Sequence, residues 1–291
     1  MELYLWAALL GALLQGFSFA MSRQLLVYSN NRFQIAFYSM LVTTLLAVAS
    51  LPFFNLRGLG NAPELIAGFS LSVAASQILL MEAMKRADAS FVVPMLGLKI
   101  FVVALVSALI WQETYSGLVY VGATGTLVSL YFLNDGQLKA PPAALFFVTL
   151  GACAFACNDL FLMAMIRADY NLGEVTIYSL LGPLLVLGPI GMWQTRGAFN
   201  MNWRYGRALL LYGFFQITSI LALIWAFEAS RKVTLITIVQ NSRSIFALLA
   251  VWLLARLGFS GVEKLLGHQY RSRLLGAVIM LASLTLVIFA R

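Results

Sequence analysis

The sequence predicts an all-α membrane protein with ten transmembrane helices in two inverted five-helix repeats. The first observation behind this prediction is composition: of the 291 residues, 62% are hydrophobic and only 10% are charged. A soluble domain is typically about 25% charged, so this chain belongs in a membrane. The second observation is an internal duplication. Two short sequences recur 140 residues later, Leu10-Gly11-Ala12 as Leu150-Gly151-Ala152 and Tyr38-Ser39 as Tyr178-Ser179.

Ten apolar stretches are long enough to cross a membrane as helices, which takes about 20 residues each. In chain order they cover residues 3–26, 33–54, 63–84, 88–111, 115–133, 142–166, 173–194, 207–228, 233–255 and 272–290. The first stretch is not interpreted as a signal peptide, because no basic region precedes it and the duplication pairs it with the sixth. Since no long polar segment interrupts the series, we expect a single transmembrane domain over residues 1–291.

The boundary between the two repeats is expected in the polar segment 134–142, where Asp-Gly and Pro-Pro dipeptides break helices. Repeat one then covers residues 1–138 and repeat two covers residues 139–291. Each repeat holds five spans, and five is odd, so the second repeat enters the membrane from the opposite side to the first. Inverted repeats of this kind are typical of secondary transporters that work by alternating access.

The distribution of basic residues predicts the orientation in the cell (inner) membrane. The loops on one side carry twelve Lys and Arg residues, and the loops on the other side carry five. The positive-inside rule therefore predicts that both termini lie outside the cytoplasm. The net charge of +8 does not indicate nucleic-acid binding, because the basic residues are scattered singly over short loops.

Two basic residues lie within apolar spans, Lys99 in the fourth and Arg243 in the ninth. A charge near the centre of a spanning helix costs at least about 2.5 kcal/mol on insertion scales, and such residues usually face a cavity or a partner. Lys99 and Arg243 fall at nearly equivalent points of the two repeats. Together they predict a positive pocket suited to a carboxylate or a phosphate.

Asp159 is the one carboxylate well inside a predicted span, and three roles are open to it. It can neutralise Lys99 or Arg243, since intramembrane charges commonly pair with each other. It can serve in proton coupling, because burial favours the neutral carboxyl group and a nearby cation favours the carboxylate. It can also bind a cationic or zwitterionic substrate, with Lys99 in a structural role.

Polar residues at helical spacing outline the rest of the predicted pocket. Gln15 and Ser18 share a face of the first span, Asn158 precedes Asp159, and Gln240 and Asn241 lie beside Arg243. The alternative for the smaller side chains is hydrogen bonding between helices, worth about 0.6 kcal/mol per contact. The repeated tyrosines Tyr38 and Tyr178 are candidates to cap the pocket, and interface anchoring is their alternative role.

Charged residues at helix ends are candidates for a gate. Glu82 with Lys85, and Glu228 with Arg231, are three residues apart and can form local ion pairs. They either stabilise helix ends or form salt bridges that break on opening. Cys153 and Cys157 share a helix face with no nearby His or third Cys, so they are interpreted as packing residues rather than as metal ligands.

Several motifs resemble those of the drug/metabolite transporter superfamily, EamA type, and the resemblance covers essentially the whole chain. They are Gly16-Phe17-Ser18-Phe19, the segment Ala83-Met84-Lys85-Arg86-Ala87-Asp88-Ala89-Ser90 that leads to Lys99-Ile100-Phe101, and Trp111-Gln112-Glu113-Thr114. The resemblance implies an all-helical fold with a central cavity walled by spans one to four and six to nine. It also implies transport of amino acids, nucleosides, sugars, drugs or phosphorylated compounds. Lys99 departs from the pattern, because many relatives have Pro there.

These observations favour a secondary transporter for a small polar metabolite or lipid-linked headgroup that carries a carboxylate or a phosphate. Protons or a counter-substrate, membrane lipids and a second copy of the chain are the expected partners. An exporter of amino acids or cationic drugs, and a non-transporting receptor or assembly subunit, are the alternatives. An enzyme is disfavoured and no cofactor or metal is expected, because the sequence contains neither His-Glu-x-x-His nor Gly-x-Ser-x-Gly.

Overall fold

The computed structural model describes residues 2–29, 31–50, 52, 54, 56, 58, 62–87, 89–114, 116–133, 141–195, 202–257 and 267–289. Within these ranges the chain folds into helices and short connections, with no strand. The predicted all-α class is therefore confirmed. Residues 134–140 of the predicted boundary between the repeats lie outside the described residues.

Twelve α-helices make up the described part of the chain. They are α1 (Leu3–Tyr28), α2 (Arg32–Ala49), α3 (Pro63–Arg86), α4 (Ala89–Met95), α5 (Lys99–Trp111), α6 (Gly117–Leu133), α7 (Pro142–Arg167), α8 (Leu172–Thr195), α9 (Trp203–Ser230), α10 (Val233–Gln240), α11 (Arg243–Arg256) and α12 (Gly267–Phe289). Helices α4 and α5 together occupy the fourth predicted span, and α10 and α11 occupy the ninth.

Seven helical segments in the described ranges are long and apolar enough to cross a membrane. They comprise α1, α3, α7, α8 and α9, together with Phe91–Trp111 and Val233–Leu254. Three shorter apolar segments lie within α2, α6 and α12, at Phe33–Ala49, Gly117–Ser129 and Leu275–Val287. The chain is thus a multi-pass membrane protein. The count of ten spans and the inversion of the repeats stay predictions.

Asparagine side chains fix where three of the helices begin. The Asn31 side chain accepts hydrogen bonds from two backbone amides of α2, and Asn202 accepts one from the Tyr205 amide of α9 at 2.7 Å. At the start of α8, Asn171 and Glu174 each accept from the other's backbone amide at 2.9 Å, which is a reciprocal capping box. These caps satisfy amides that have no partner within their own helix.

Helices at the same position of the two predicted repeats exchange partners. Helix α1 packs against α9, and α7, its equivalent, packs against α3. Likewise α1 packs against α11, and α7 packs against α5. The α2–α8 and α6–α12 contacts each join two equivalent helices. This exchange is what two superimposable halves would produce, and it brings α1, α5, α7 and α10 to the centre of the molecule.

Both central cations follow a break in a spanning helix. Between α4 and α5 the residues Leu96–Leu98 form a 3₁₀ turn, two residues after Pro94. Between α10 and α11 the residues Asn241 and Ser242 form a turn. Lys99 is the first residue of α5 and Arg243 is the first residue of α11. Mid-span breaks in transporters commonly lie at the binding site, so these two breaks direct attention to the residues around them.

Candidate substrate site

A cavity of about 100 Å³ lies among α1, α2, α3, α5, α7, α8, α9 and α10. This volume has room for several water molecules. One part of its wall is apolar and includes Phe69, Val73, Leu162, Ile220, Leu223 and Phe227. The polar part includes Gln15, Gln77, Lys99, Asn158, Asp159 and Gln240. Of the described lining residues, Lys99 and Asp159 alone are charged, so the electrostatics of the cavity depend on this pair and on the charges behind it.

Lys99 and Asp159 form a buried ion pair. The Lys99 ammonium donates to Asp159 Oδ2 at 2.5 Å, and the two residues are 1% and 7% exposed. The Thr237 hydroxyl donates to the same carboxylate oxygen at 2.9 Å. Of the three roles open to Asp159, neutralisation of a cation is therefore the one that this conformation shows. A charge pair at this depth is stable only when its remaining donors and acceptors are also satisfied, and Thr237 contributes to that.

An amide relay connects this ion pair to Arg243. Lys99 also donates to Gln240 Oε1 at 2.5 Å, and Gln240 Nε2 donates to Gln15 Oε1 at 3.0 Å. The same Gln15 oxygen accepts from Arg243 Nη1 at 3.0 Å. Four helices thus contribute to one hydrogen-bonded network, and Gln15 of α1 lies at its branch point. The predicted grouping of Gln15, Lys99, Asp159, Gln240 and Arg243 is present in the structure.

Arg243 lies behind the cavity rather than in its wall. Its side chain is fully buried, and its guanidinium carbon is 5.2 Å from the Phe19 ring centroid and 5.9 Å from that of Phe155. In the described part of the chain, Nε and Nη2 of Arg243 have no hydrogen-bond partner. The neighbouring Asn241 side chain is also buried and without a partner in those ranges, and it does not line the cavity. Arg243 is therefore connected to the cavity by hydrogen bonds, through the Gln15 oxygen that also accepts from Gln240.

The cavity is also lined by two serines that were not among the predicted site residues. Ser39 and Ser179 follow the repeated tyrosines and face the cavity from α2 and α8. The tyrosines themselves do not line it. Tyr38 is fully buried and packs 6.2 Å from the Tyr205 ring, while the Tyr178 hydroxyl donates to the Gly58 carbonyl oxygen. The repeat marked the correct turn of each helix, but successive residues of a helix point in different directions.

Asn158 and Ser18 hold positions close to those expected. Asn158 lines the cavity, and its Nδ2 donates to Ser76 Oγ at 3.0 Å. Ser18 does not line the cavity. Its hydroxyl donates to Oε1 of Gln216, which does, at 2.6 Å. Ser18 can therefore affect the cavity only by orienting Gln216, which is the interhelical alternative that the sequence left open.

The helix-end charges pair differently from the sequence expectation. Glu82 forms its ion pair with Arg86, one helical turn away, instead of with Lys85. No ion pair joins Glu228 to Arg231 in the described ranges; Arg231 donates to the Ile166 carbonyl oxygen at 3.1 Å. Arg231 ends α9 in a left-handed conformation, and its side chain therefore does not continue along the helix face that carries Glu228. A salt bridge that the sequence analysis did not foresee joins Arg167 to Glu113 at 2.8 Å.

No group of three His, Cys, Asp or Glu side chains converges on a possible metal position in the ranges that the structure describes. Cys153 is exposed and Cys157 is half-buried, and both carry free thiols. The chemistry that this site supports is therefore ion pairing, hydrogen bonding and apolar contact.

Comparison with known proteins connects these helices and buried charges to a family of transporters. The model of the EamA-like transporter family matches residues 2–135, which contain α1 to α6. Over these residues the chain is similar to the EamA-like transporter family. This family belongs to the drug/metabolite transporter superfamily, so the resemblance drawn from the motifs is confirmed over residues 2–135. No curated protein matches the chain.

Solved structures extend the comparison to nearly the whole length. One crystal structure covers 96% of this chain and 99% of its own, with a TM-score of 0.66 and 15% sequence identity. At that identity the similarity supports the fold alone. Family and fold together support a multi-pass membrane transporter of small molecules. Substrate class and mechanism have to be argued from the site.

Proposed function

We propose that this EamA-like protein is a secondary active transporter that moves a small polar anion by alternating access between two inverted five-helix repeats. The anion carries a carboxylate or a phosphate. The observation that carries the proposal is the charge of the buried network. Lys99 and Arg243 are both fully buried, and among the described residues Asp159 is the single carboxylate in that network. One positive charge therefore lacks a counter-charge, and an anionic substrate would supply it.

Competition for Lys99 provides a mechanism for substrate binding. The Lys99 ammonium faces the cavity and is held by Asp159 and Gln240. An entering carboxylate would compete with Asp159 for the same ammonium group. A proton on Asp159 would weaken the ion pair and leave Lys99 to the substrate, which couples proton uptake to anion binding. Exchange of one anion for another would use the same competition without a net proton.

The alternative with Asp159 as the site for a cationic substrate is less well supported. Asp159 already accepts hydrogen bonds from Lys99 and Thr237 at the same oxygen. A cationic substrate would have to displace Lys99 and leave two buried cations without any carboxylate. That arrangement costs several kcal/mol per uncompensated ion.

Ligand-dependent thermal stabilisation of the purified protein tests the anion site. Carboxylates and phosphates are expected to raise the unfolding temperature, and Lys99→Gln and Arg243→Gln are each expected to abolish the effect. Lys85→Gln is the matched control, because Lys85 is exposed and lies outside the cavity wall. Full retention of stabilisation in both Lys99→Gln and Arg243→Gln would refute the anion site. Stabilisation by cations that Asp159→Asn removes would support the cationic alternative instead.

Flux in reconstituted liposomes separates transport from simple binding. The anion that stabilises the protein is expected to cross the membrane only in liposomes that contain the parent protein, and Lys99→Gln should reduce that flux to background. Binding without flux, in liposomes that hold correctly folded protein, would favour the receptor or assembly subunit.

A further inference from the structure

The cavity contains two buried acceptor atoms that the proposed anion site does not use. Asn158 Oδ1 and Gln77 Oε1 are buried, belong to lining residues, and have no hydrogen-bond partner among the described residues. Leaving such an acceptor unsatisfied costs about 1–3 kcal/mol. A buried acceptor at the wall of a cavity is therefore suited to a hydrogen-bond donor on a ligand.

The surrounding contacts fix the Asn158 amide with its oxygen as the free atom. Asn158 Nδ2 donates to Ser76 Oγ at 3.0 Å, and the Ser76 hydroxyl donates to the Val73 carbonyl oxygen at 2.9 Å, so Ser76 Oγ acts as acceptor toward Asn158. Ser76 and Gln77 are adjacent on α3, which packs against the helix of Asn158. The α3–α7 contact thus carries both acceptors, Asn158 Oδ1 on α7 and Gln77 Oε1 on α3.

The charge distribution indicates a neutral donor on the ligand. A ligand ammonium group would need a counter-charge, and Asp159, the one carboxylate among the described lining residues, is engaged by Lys99. A hydroxyl group donates one hydrogen bond, so it can satisfy either amide oxygen without any charge. Phe69, Leu223 and Phe227 contribute an apolar wall that can accommodate a hydrocarbon body.

We infer that the substrate is a hydroxylated organic acid, whose carboxylate binds Lys99 and whose hydroxyl group donates to Asn158 Oδ1 or Gln77 Oε1. This assignment rests on the proposed anion transporter and names its substrate class. The inference distinguishes the preferred ligand from three other groups of compounds. Plain carboxylic acids leave both acceptors unsatisfied, and amino acids bring an ammonium group without a counter-charge. Inorganic phosphate makes no apolar contact.

Three ligands on one carbon skeleton test the inference. Propionate, lactate and alanine differ only in the substituent at the second carbon, which is hydrogen, hydroxyl or ammonium. Phenylpropionate, phenyllactate and phenylalanine form the same series with a larger apolar body. In titrations of the purified protein, the hydroxy acid of one series is expected to bind about tenfold more tightly than its plain acid, as one net hydrogen bond provides.

Variants separate recognition of the hydroxyl group from a structural role. Gln77→Met and Asn158→Leu keep the approximate size of each side chain and remove its acceptor oxygen. Each is expected to lower affinity for the hydroxy acid more than affinity for the plain acid. A purely structural role would lower both affinities equally. Ser72→Ala is the control on α3, because Ser72 lies outside the cavity wall and its hydroxyl donates to the Phe69 carbonyl oxygen at 2.8 Å.

The outcomes distinguish this inference from the proposed function. Equal affinity for plain and hydroxy acids would overturn the inference and leave the anion transporter standing. Tightest binding of the amino acid in either series would overturn the inference and favour an amino-acid transporter. Binding of cationic compounds without any carboxylate would refute the anion transporter itself.

Discussion

The charge of the site depends on one position of the duplication, which holds an apolar residue in the first half and a carboxylate in the second. The 140-residue duplication places Asp159 at the position of Phe19, and Phe155 at the position of Gln15. Lys99 of the first half therefore meets a carboxylate from α7, whereas Arg243 of the second half meets the Phe19 ring and the Gln15 amide from α1. The scaffold is repeated but its counter-charge is not, and the excess positive charge follows from that difference.

Asp159→Asn is expected to destabilise the protein by about 3–5 kcal/mol, because it leaves the Lys99 ammonium buried without its counter-ion. Adding Lys99→Met to the same chain should recover most of this loss, since an apolar replacement of a buried pair is often neutral or stabilising. Chemical unfolding of the purified single and double variants gives the coupling between the two residues.

Glu82→Gln provides the matched comparison for this cycle. Its partner Arg86 is 35% exposed in the side chain, so solvent screens this ion pair and its removal should cost less than removal of the Lys99–Asp159 pair. Equal losses for Asp159→Asn and Glu82→Gln would show that the Lys99–Asp159 pair contributes no more than a solvent-accessible pair.

Helix positions were predictable from composition, whereas helix breaks were not. The predicted spans agree with the described helices to within a few residues at most ends, because a membrane requires long apolar runs wherever a helix crosses. The breaks before Lys99 and Arg243 leave the apolar run unchanged, so hydropathy carries no signal for them. Pro94 and Gly97 in one span, and Asn241-Ser242 in the other, were the local signals.

Side-chain direction limited the prediction of the site. Gln15, Asn158 and Gln240 line the cavity as expected. Asn158 and Gln240 lie near charges that face the interior, whereas helical spacing alone singled out Gln15. Helical spacing could not distinguish Ser39 from Tyr38 as the residue that lines the cavity, because the two are adjacent and both recur in the duplication. Nor could it place Arg243 behind Gln15, because that depends on how closely α1 approaches α11.

The close approach of α1 to α11 depends on Gly16. A Cβ atom at this position would lie 2.7 Å from the Ala247 backbone nitrogen and 2.8 Å from the Phe246 carbonyl carbon. Backbone atoms cannot move aside as a flexible side chain can. Gly16→Ala is therefore expected to separate the helices and cost about 1–3 kcal/mol, as overpacking typically does. Thermal unfolding of the purified variant measures the effect.

Gly151→Ala in α7 is the control for Gly16→Ala. A Cβ atom there would lie 3.6 Å from Leu79 Cβ, an ordinary contact distance. Because alanine favours helices more than glycine does, this change should be neutral or should stabilise by up to about 1 kcal/mol. A loss as large as that of Gly16→Ala would show that both glycines matter only through general packing.

The 3₁₀ turn at Leu96–Leu98 sets the direction of Lys99. A 3₁₀ helix turns about 120° per residue and an α-helix about 100°, so three such residues rotate α5 by about 60° relative to a continuous helix. Pro94→Ala combined with Gly97→Ala favours continuation of the α-helix. We expect the double variant to keep its helical content and to lose anion-dependent stabilisation, because Lys99 is turned away from Asp159.

Circular dichroism and ligand titration together test this expectation. Pro189→Ala is the control, as it removes a proline from the interior of α8 outside the cavity wall. Unchanged anion binding in the Pro94 and Gly97 double variant would mean that contacts between helices, rather than the turn, orient Lys99.

At the scale of the whole molecule, a cluster of contacts joins three helices near one end of the bundle. Arg167, the last residue of α7, donates to Glu113 just beyond α5 and stacks 4.5 Å from the Trp111 ring centroid. Arg167 also donates to the Arg231 carbonyl oxygen just beyond α9, and Arg231 in turn donates to the Ile166 carbonyl oxygen. Since alternating access requires the two halves to move against each other, contacts that cross between them are candidates for a closed gate.

Glu113→Gln tests this gate by removing the charge that joins the two halves. The thiol of Ser179→Cys, in a chain with Cys153 and Cys157 replaced by alanine, reports access to the cavity from α8. We expect Glu113→Gln to increase its labelling by a membrane-impermeant thiol reagent severalfold, because a weaker bridge raises the population of the open state. Glu64→Gln, at an exposed position in the first turn of α3, should leave the rate unchanged. Equal labelling rates in both variants would show that the contacts of Arg167 stabilise helix ends and do not form the gate. The gate would then have to lie among the contacts at the opposite end of the bundle.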